Sequence, residues 1–208
     1  MKILVLTATR DEIAEDFPTP PVRKTVNIVL KCLMTCFPGA TVVVTGIGNT
    51  LATYNTVRAM LAMRAEKDAG PVDLVINLGM AGSPNLEIGT VVIGSHVVDF
   101  DRVPAQSQGD ERLVLPLATG AVVSCIRHLA PIVVPVLSFN RFIGARDPVL
   151  QKIPAHVRFV ADMEAFSEAF VADSFGVPVA SVKVVSDNLD PRQYDDSIGY
   201  LRRLPRRP

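Results

Sequence analysis

Three segments of the 208-residue chain place carboxylates just behind apolar runs: Glu12 in TATRDEI, Asp162 and Glu164 in FVADMEAFSEAF, and Asp187 in KVVSDNLD. A carboxylate in such a place can take up or deliver a proton, or accept a hydrogen bond from a ligand hydroxyl. Each also has a plain structural explanation. Glu12 and Glu164 suit the first turn of a helix, where the dipole favours an acid. Asp162 suits a helix cap, and Asp187 an Asx turn or N-cap. Metal chemistry has less to stand on. His96, His128 and His156 are scattered without ligand spacing. Cys32, Cys36 and Cys125 form no CxxC. Cys32 and Cys36 lie one helical turn apart with no His accompanying them, so they read as core thiols and no metal is expected.

The elements that must position these acids follow from periodicity. Strands are expected at 2–7, 41–45, 73–77, 90–98, 132–137, 157–161 and 179–185, mostly continuous Val/Ile/Leu runs of the kind buried on both faces. Residues 14–40 read as a helix, with Val22, Val26, Val29, Leu30, Leu33 and Phe37 at helical spacing and a stop at Pro38-Gly39. A second helix starts at Asn49 or Thr50 and reaches about Glu66. A third opens at Asp162 or a neighbour and closes at Gly176. Strands alternating with helices predict an α/β fold of three layers, α/β/α, around a central, mostly parallel mixed sheet. No repeat, linker or low-complexity stretch divides residues 1–208, so one domain is expected.

Composition narrows the partners. Apolar residues make up 49% and charged residues 20%, with a mean hydropathy of +0.31, which fits a compact core. Lys plus Arg and Asp plus Glu both number 21, so no charge argument for nucleic acid or an anionic membrane survives. The basic tail Arg202, Arg203, Arg206 and Arg207 reads as a frayed terminus. No apolar run is long enough to span a membrane, and the first residues lack the features of a signal peptide. A cytoplasmic protein is expected.

In open α/β sheets ligands bind beyond the carboxyl ends of the strands. The residues there are Ala8–Glu12, Gly46-Ile47-Gly48, Gly79–Gly82, Ser138–Gly144, Asp162–Glu164 and Ser186–Asp190. VVVTGIGNTLATYNT lacks the third glycine of a dinucleotide fingerprint, since Leu51 stands there. What remains is a tight turn into a helix N-terminus, usable for a polar ligand atom. Gly79-Met80-Ala81-Gly82 suits a backbone wall of a pocket. In order, TGIG (45–48), INLGMAG (76–82), GTVVIGSHVVDFD (89–101), SFNRFIG (138–144) and ADMEA to VVSD (161–187) resemble the purine nucleoside phosphorylase/uridine phosphorylase superfamily. Within it the chain is most similar to the 5′-methylthioadenosine/S-adenosylhomocysteine nucleosidases, with the futalosine hydrolases close by.

The resemblance implies hydrolysis of the N-glycosidic bond of a 5′-substituted purine nucleoside, without cofactor. It makes Glu12 the base that activates water, Asp187 the acid at purine N7, and Glu164 the acceptor for the ribose 2′-hydroxyl. It places Phe142 on the purine face, the Ile143 backbone at its edge, Met163 under the ribose and Ile47 on the water side. Met80, Ala81, Gly82, Asp162, Lys183 and Ser186 are further binding positions. Met80 stands where the family usually has Ser, and Lys183 where it has Arg, which keeps the charge but loses the bidentate fork. A helix at 14–40 replaces a family hairpin. The phosphorylases' Gly/Arg-rich N-terminal loop is absent, and a carboxylate at the water position repels phosphate, so hydrolysis is favoured over phosphorolysis. A non-catalytic nucleoside binder is the alternative that Met80 supports. The resemblance also implies a homodimer or higher homo-oligomer, with a capping aromatic sought in 100–108.

Overall fold

The computed structural model describes residues 1–13, 20–65, 70–101 and 114–198, with the side chains of 195–198 outside the description. In chain order the elements are β1 (Ile3–Thr7), α1 (Arg10–Ile13), α2 (Pro21–Cys36), β2 (Thr41–Val44), α3 (Asn49–Ala65), β3 (Leu74–Gly82) and β4 (Val91–Asp99). There follow β5 (Val114–Pro116), α4 (Gly120–Ile126), β6 (Ile132–Ser138), β7 (Val160–Asp162), α5 (Ala165–Ser174), β8 (Val179–Asp187) and α6 (Pro191–Ile198).

The strands form one mixed sheet in the order β2-β1-β3-β7-β6-β4-β5, with β8 between β3 and β4. β1 pairs parallel with β2 and β3, β3 with β8, and β6 with β4 and β7. The antiparallel pairings are β3 with β7, β4 with β5 and β4 with β8.

Strand alternation sends side chains to two cores. Leu4, Leu6, Val75 and Val179 meet Met60 and Met63 of α3 and Phe166 and Ala169 of α5. Ile3, Val5, Ile76, Leu78, Val182 and Val184 meet Val22, Val26, Val29 and Leu33 of α2 and Val122 and Ile126 of α4. The expected three-layer α/β architecture is therefore the one observed.

Local differences have local causes. The α2 helix matches the 3.6-residue pattern and ends at Phe37, ahead of Gly39 at φ +85°; the 14–19 part of the expected helix lies outside the described residues. Strand β3 runs on through Gly82, so Gly79–Gly82 is strand and not the loop after it, because it continues to pair with β8 along that length. The expected 157–161 strand shrinks to β7, whose three residues pair with β6 and touch β3 only through Ala161. The α5 helix starts at Ala165 and not at Asp162, which β7 retains; Gly176, at φ +70°, follows it as expected. The short β5 and α4 carry too few residues to show a period.

The thiols also depart from the expectation. Only Cys125 is buried, Cys36 is exposed, and Cys32 Sγ lies 3.5 Å from His128 Nε2, so a histidine does accompany them across the α2–α4 side. No group of three or more His, Cys, Asp or Glu positioned for a metal occurs among the described residues. Among them, too, no helix is long and apolar enough to cross a membrane.

Candidate active site

Glu12 sits in a Thr-x-x-Glu capping box. Thr9 Oγ1 accepts the Glu12 N–H (3.3 Å), and Glu12 Oε2 accepts the Thr9 N–H (3.1 Å). The same Oε2 also accepts from the Thr7 hydroxyl (2.8 Å) and the Ala8 N–H (2.9 Å), while Oε1 accepts from the Met80 N–H (3.0 Å). Glu12 is thus turned inward and 4% exposed, not the surface acid its helix position alone suggests. Gly79 makes the room: a Cβ there would stand 2.8 Å from Glu12 Oε1.

Glu164 precedes α5, and its Oε1 accepts the Gly48 N–H at 2.7 Å. The GIG turn bends through Gly46 (φ +94°) and Gly48 (φ +86°), a conformation only glycine adopts readily. The donor expected to serve a ligand at the head of α3 is therefore spent on Glu164. Burial, reinforced by the Asp162 charge and opposed by Lys183, pushes the Glu164 carboxyl up to about 8.

Asp162 fulfils the capping role. Its Oδ2 accepts the Ala165 N–H (2.9 Å) and meets Lys183 Nζ at 2.7 Å, and its Oδ1 accepts from the Ser138 hydroxyl (2.8 Å). Lys183 corrects an expectation. It is 2% exposed, lies beneath the cleft and not on its wall, and spends its charge on Asp162. Burial opposes the Lys183 charge, but Asp162, Glu164 and Glu12 outweigh it and hold the ammonium above its usual range.

Asp187 ends β8. Its Oδ2 accepts from the Ser186 hydroxyl (2.6 Å) and its Oδ1 from the Asp190 N–H (3.2 Å), so the Asx turn is present as well. Burial raises its pKa against those hydrogen bonds. Gly82 is the matching vacancy, since a Cβ there would fall 2.8 Å from Asp187 Oδ1. The two glycines of the Gly79–Gly82 stretch each accommodate one carboxylate.

These groups converge on a cleft of about 160 Å³. Glu12, Ile47, Met80, Ala81, Gly82, Phe142, Asp162, Met163, Glu164, Ser186 and Asp187 all line it. Ile143 lines an adjoining recess of about 30 Å³ beside Arg141, Phe142 and Asp187. No Lys or Arg lines the 160 Å³ cleft among the described residues. Phe100 is buried against Phe139 with ring centroids 5.1 Å apart, so it is no exposed cap; 102–108 lies outside the described residues.

Ala8, from the expected Ala8–Glu12 segment, lines the wall too, whereas sequence reasoning missed Ala161 and Tyr194 there. Tyr194 meets the Phe142 ring edge-on at 6.0 Å. It also missed Glu168, which is fully buried one turn beyond Glu164. Glu168 Oε1 accepts from the Thr45 hydroxyl and Oε2 from Asn77 Nδ2, both at 2.8 Å, and Asn77 Oδ1 accepts from the Ser181 hydroxyl at 2.8 Å. A signal was present: Ser181 and Lys183 alternate with Val182 and Val184, and Asn77 stands between Ile76 and Leu78, marking a polar stripe on the α5 side.

With fold and cleft in view, comparison with known proteins places the chain. Residues 15–198 match the family described as the phosphorylase superfamily, and the chain belongs to it. Solved structures of similar fold include a 5′-methylthioadenosine/S-adenosyl homocysteine nucleosidase from Helicobacter pylori, at TM-score 0.68 and 21% identity over 97% of this chain and 96% of that one. The futalosine hydrolase of Helicobacter pylori gives TM-score 0.67 and 20% identity over 97% and 95%. An S-adenosylhomocysteine nucleosidase from Streptococcus pyogenes gives 0.69 and 18% over 99% and 98%.

Proposed function

We propose that the chain, acting as one domain, is a purine nucleosidase that hydrolyses the N-glycosidic bond of a 5′-substituted purine nucleoside. The carrying observation is that two buried carboxylates, Glu12 and Asp187, line one cleft, and in this reading they take opposite protonic roles. Among the described residues, every hydrogen bond of the Glu12 carboxyl is one it accepts, which suits a group that receives a proton from water. Asp187 is held towards its protonated form by burial, which suits a donor to N7 of the departing base. An acid on the leaving group and a base on water are the two-carboxylate logic of inverting glycoside hydrolysis.

In this reading Phe142 stacks on the purine, the Ile143 backbone meets its edge, and Met163 lies under the ribose. Glu164 has one oxygen left for the 2′-hydroxyl after Gly48 takes the other, and the positive charge growing at C1′ draws its carboxyl towards the ionised form. Phosphate as nucleophile would need cations or unspent backbone donors. The cleft lacks Lys and Arg among the described residues, Lys183 is paired with Asp162, and Gly48 N–H is committed to Glu164. Water fits the site better.

A cytoplasmic homo-oligomer completes the proposal. Leu51, Tyr54 and Leu61 form an exposed stripe on α3, just after exposed Ile47. Large apolar stripes of this kind mark subunit contacts, and this one begins at the mouth of the cleft.

The test is incubation with methylthioadenosine, S-adenosylhomocysteine, adenosine, inosine and futalosine, each with and without phosphate. Free base released without phosphate supports the proposal and identifies the purine and 5′ substituent. Strict phosphate dependence, or tight binding with the nucleoside left intact, overturns it.

A further inference from the structure

Glu168 has no part in the chemistry just described, yet it is fully buried and joined by hydrogen bonds to the strand carrying Glu12's support. The link is Thr45. Its hydroxyl has one hydrogen and two acceptors within reach, Glu168 Oε1 at 2.8 Å and the Thr7 carbonyl at 3.2 Å. When Glu168 is ionised it can only accept, so it takes the Thr45 hydrogen. When it carries a proton on Oε1, it donates to Thr45 Oγ1, and the Thr45 hydrogen turns to Thr7. The Thr7 carbonyl is then held by two donors, because the Thr45 N–H already binds it at 2.8 Å. Thr7 is the first residue of the turn whose hydroxyl and following N–H groups grip Glu12.

We propose that Glu168 is a positioning residue for Glu12, acting through the single hydroxyl proton of Thr45. The inference rests on the reading of Glu12 as the base of the nucleosidase. With Glu168 protonated the Thr7–Thr9 turn is pinned twice and Glu12 is held best; loss of that proton to solvent leaves one pin. Burial pushes the Glu168 carboxyl up to about 7, against Lys183, Thr45 and Asn77, so the exchange falls near neutrality.

The charged groups around it are few. Lys183 acts from β8, Asp162 from the end of β7, and Glu164 stands one turn back, just before α5. The α3 helix carries only the exposed Arg58 and Arg64. Strand β4 carries His96, bonded to Ser95, and Asp99; β3, β5 and β6 carry no charged side chain.

The experiment follows the ¹⁵N–¹H resonances of Ala8 and Thr9 against pH in the wild type, Glu168→Gln and Thr45→Val. Gln keeps an acceptor for Asn77 and a permanent donor for Thr45, so it reproduces the protonated arrangement at every pH. The wild-type amides are expected to inflect near pH 7, and both variants to lose that inflection. In Thr45→Val the Asn77 side-chain amide should still report Glu168 titrating. In parallel, wild-type kcat/KM should fall about 3- to 10-fold across that pH range, a hydrogen bond's worth, and the Glu168→Gln profile should lose this step. Wild-type amides without the inflection, or an inflection that persists in Glu168→Gln or Thr45→Val, would overturn the proposal. Because the amides are read without turnover, a wild type that releases no base would refute the nucleosidase reading while still leaving Glu168 judged.

Discussion

Replacing Gly79 by Ala is the sharpest probe of how the fold makes room for Glu12. The new Cβ would stand 2.8 Å from Oε1 and 3.3 Å from both Cδ and Oε2 of Glu12, where ordinary contact begins at 3.4 Å. The backbone at Gly79 is ordinary buried strand with no positive φ, so Ala costs no conformational strain there. The whole penalty therefore falls on the carboxylate. To restore contact Oε1 must retreat by about half an ångström, which is overpacking worth about 1–3 kcal/mol. Retreat also lengthens its 3.0 Å bond from the Met80 N–H. Displacement of a reacting group on this scale costs about 10- to 100-fold in kcat. The assay is a thermodynamic cycle: urea unfolding of wild type, Gly79→Ala, Glu12→Ala and the double variant. In the Glu12→Ala background the Cβ enters vacated space, so Gly79→Ala should then cost within about 0.5 kcal/mol of nothing. An equal penalty in both backgrounds would show that the methyl collides with something else, and the reasoning would fail.

Other outcomes follow from the same geometry. Glu12→Gln and Asp187→Asn should each lower kcat about 10²- to 10⁴-fold while leaving nucleoside binding measurable by calorimetry; full rate in either would refute its role. Lys183→Met should destabilise the protein by about 3–5 kcal/mol, because Asp162 is left buried and unpaired, and adding Asp162→Asn should recover much of the loss in chemical denaturation. Glu164 and Glu168 hold their protons in the folded state up to about 8 and 7, against a usual 4.5. Folding then binds protons, so the stability from these two groups is complete below about pH 4.5 and is lost as pH rises towards 8. Denaturation midpoints of Glu164→Gln/Glu168→Gln should show a flatter dependence over that window than wild type, and parallel curves would contradict the assignment.

Much of this was legible from residue patterns. Buried parallel strands announce themselves as Val/Ile/Leu runs, α2 by its period and α3 by the cap signal at Asn49 or Thr50, so the layers were readable from the sequence. The three carboxylates were readable as candidates because each follows a strand, and strand ends share one side of such a sheet. Their partners were not. Nothing local says that Gly48 N–H serves Glu164 and not a ligand, since that bond joins residues 116 positions apart. The resemblance made Lys183 a binding position; only the sheet shows it facing Asp162 from beneath. Glu168 carries no local mark of its role in AFSEAF, since its burial depends on Asn77, Ser181 and Thr45 arriving from three strand segments. Thr9-x-x-Glu12, by contrast, was a capping-box signal on the surface of the sequence and went unused.

Base release in H₂¹⁸O, without phosphate, bears most directly on the central claim that Glu12 activates water while Asp187 protonates the leaving purine. The account predicts ¹⁸O at C1 of the sugar product, none in the base, no rate gain on adding phosphate, and loss of the reaction in Glu12→Gln. A sugar 1-phosphate formed in phosphate buffer, or unchanged label incorporation by Glu12→Gln, would contradict it.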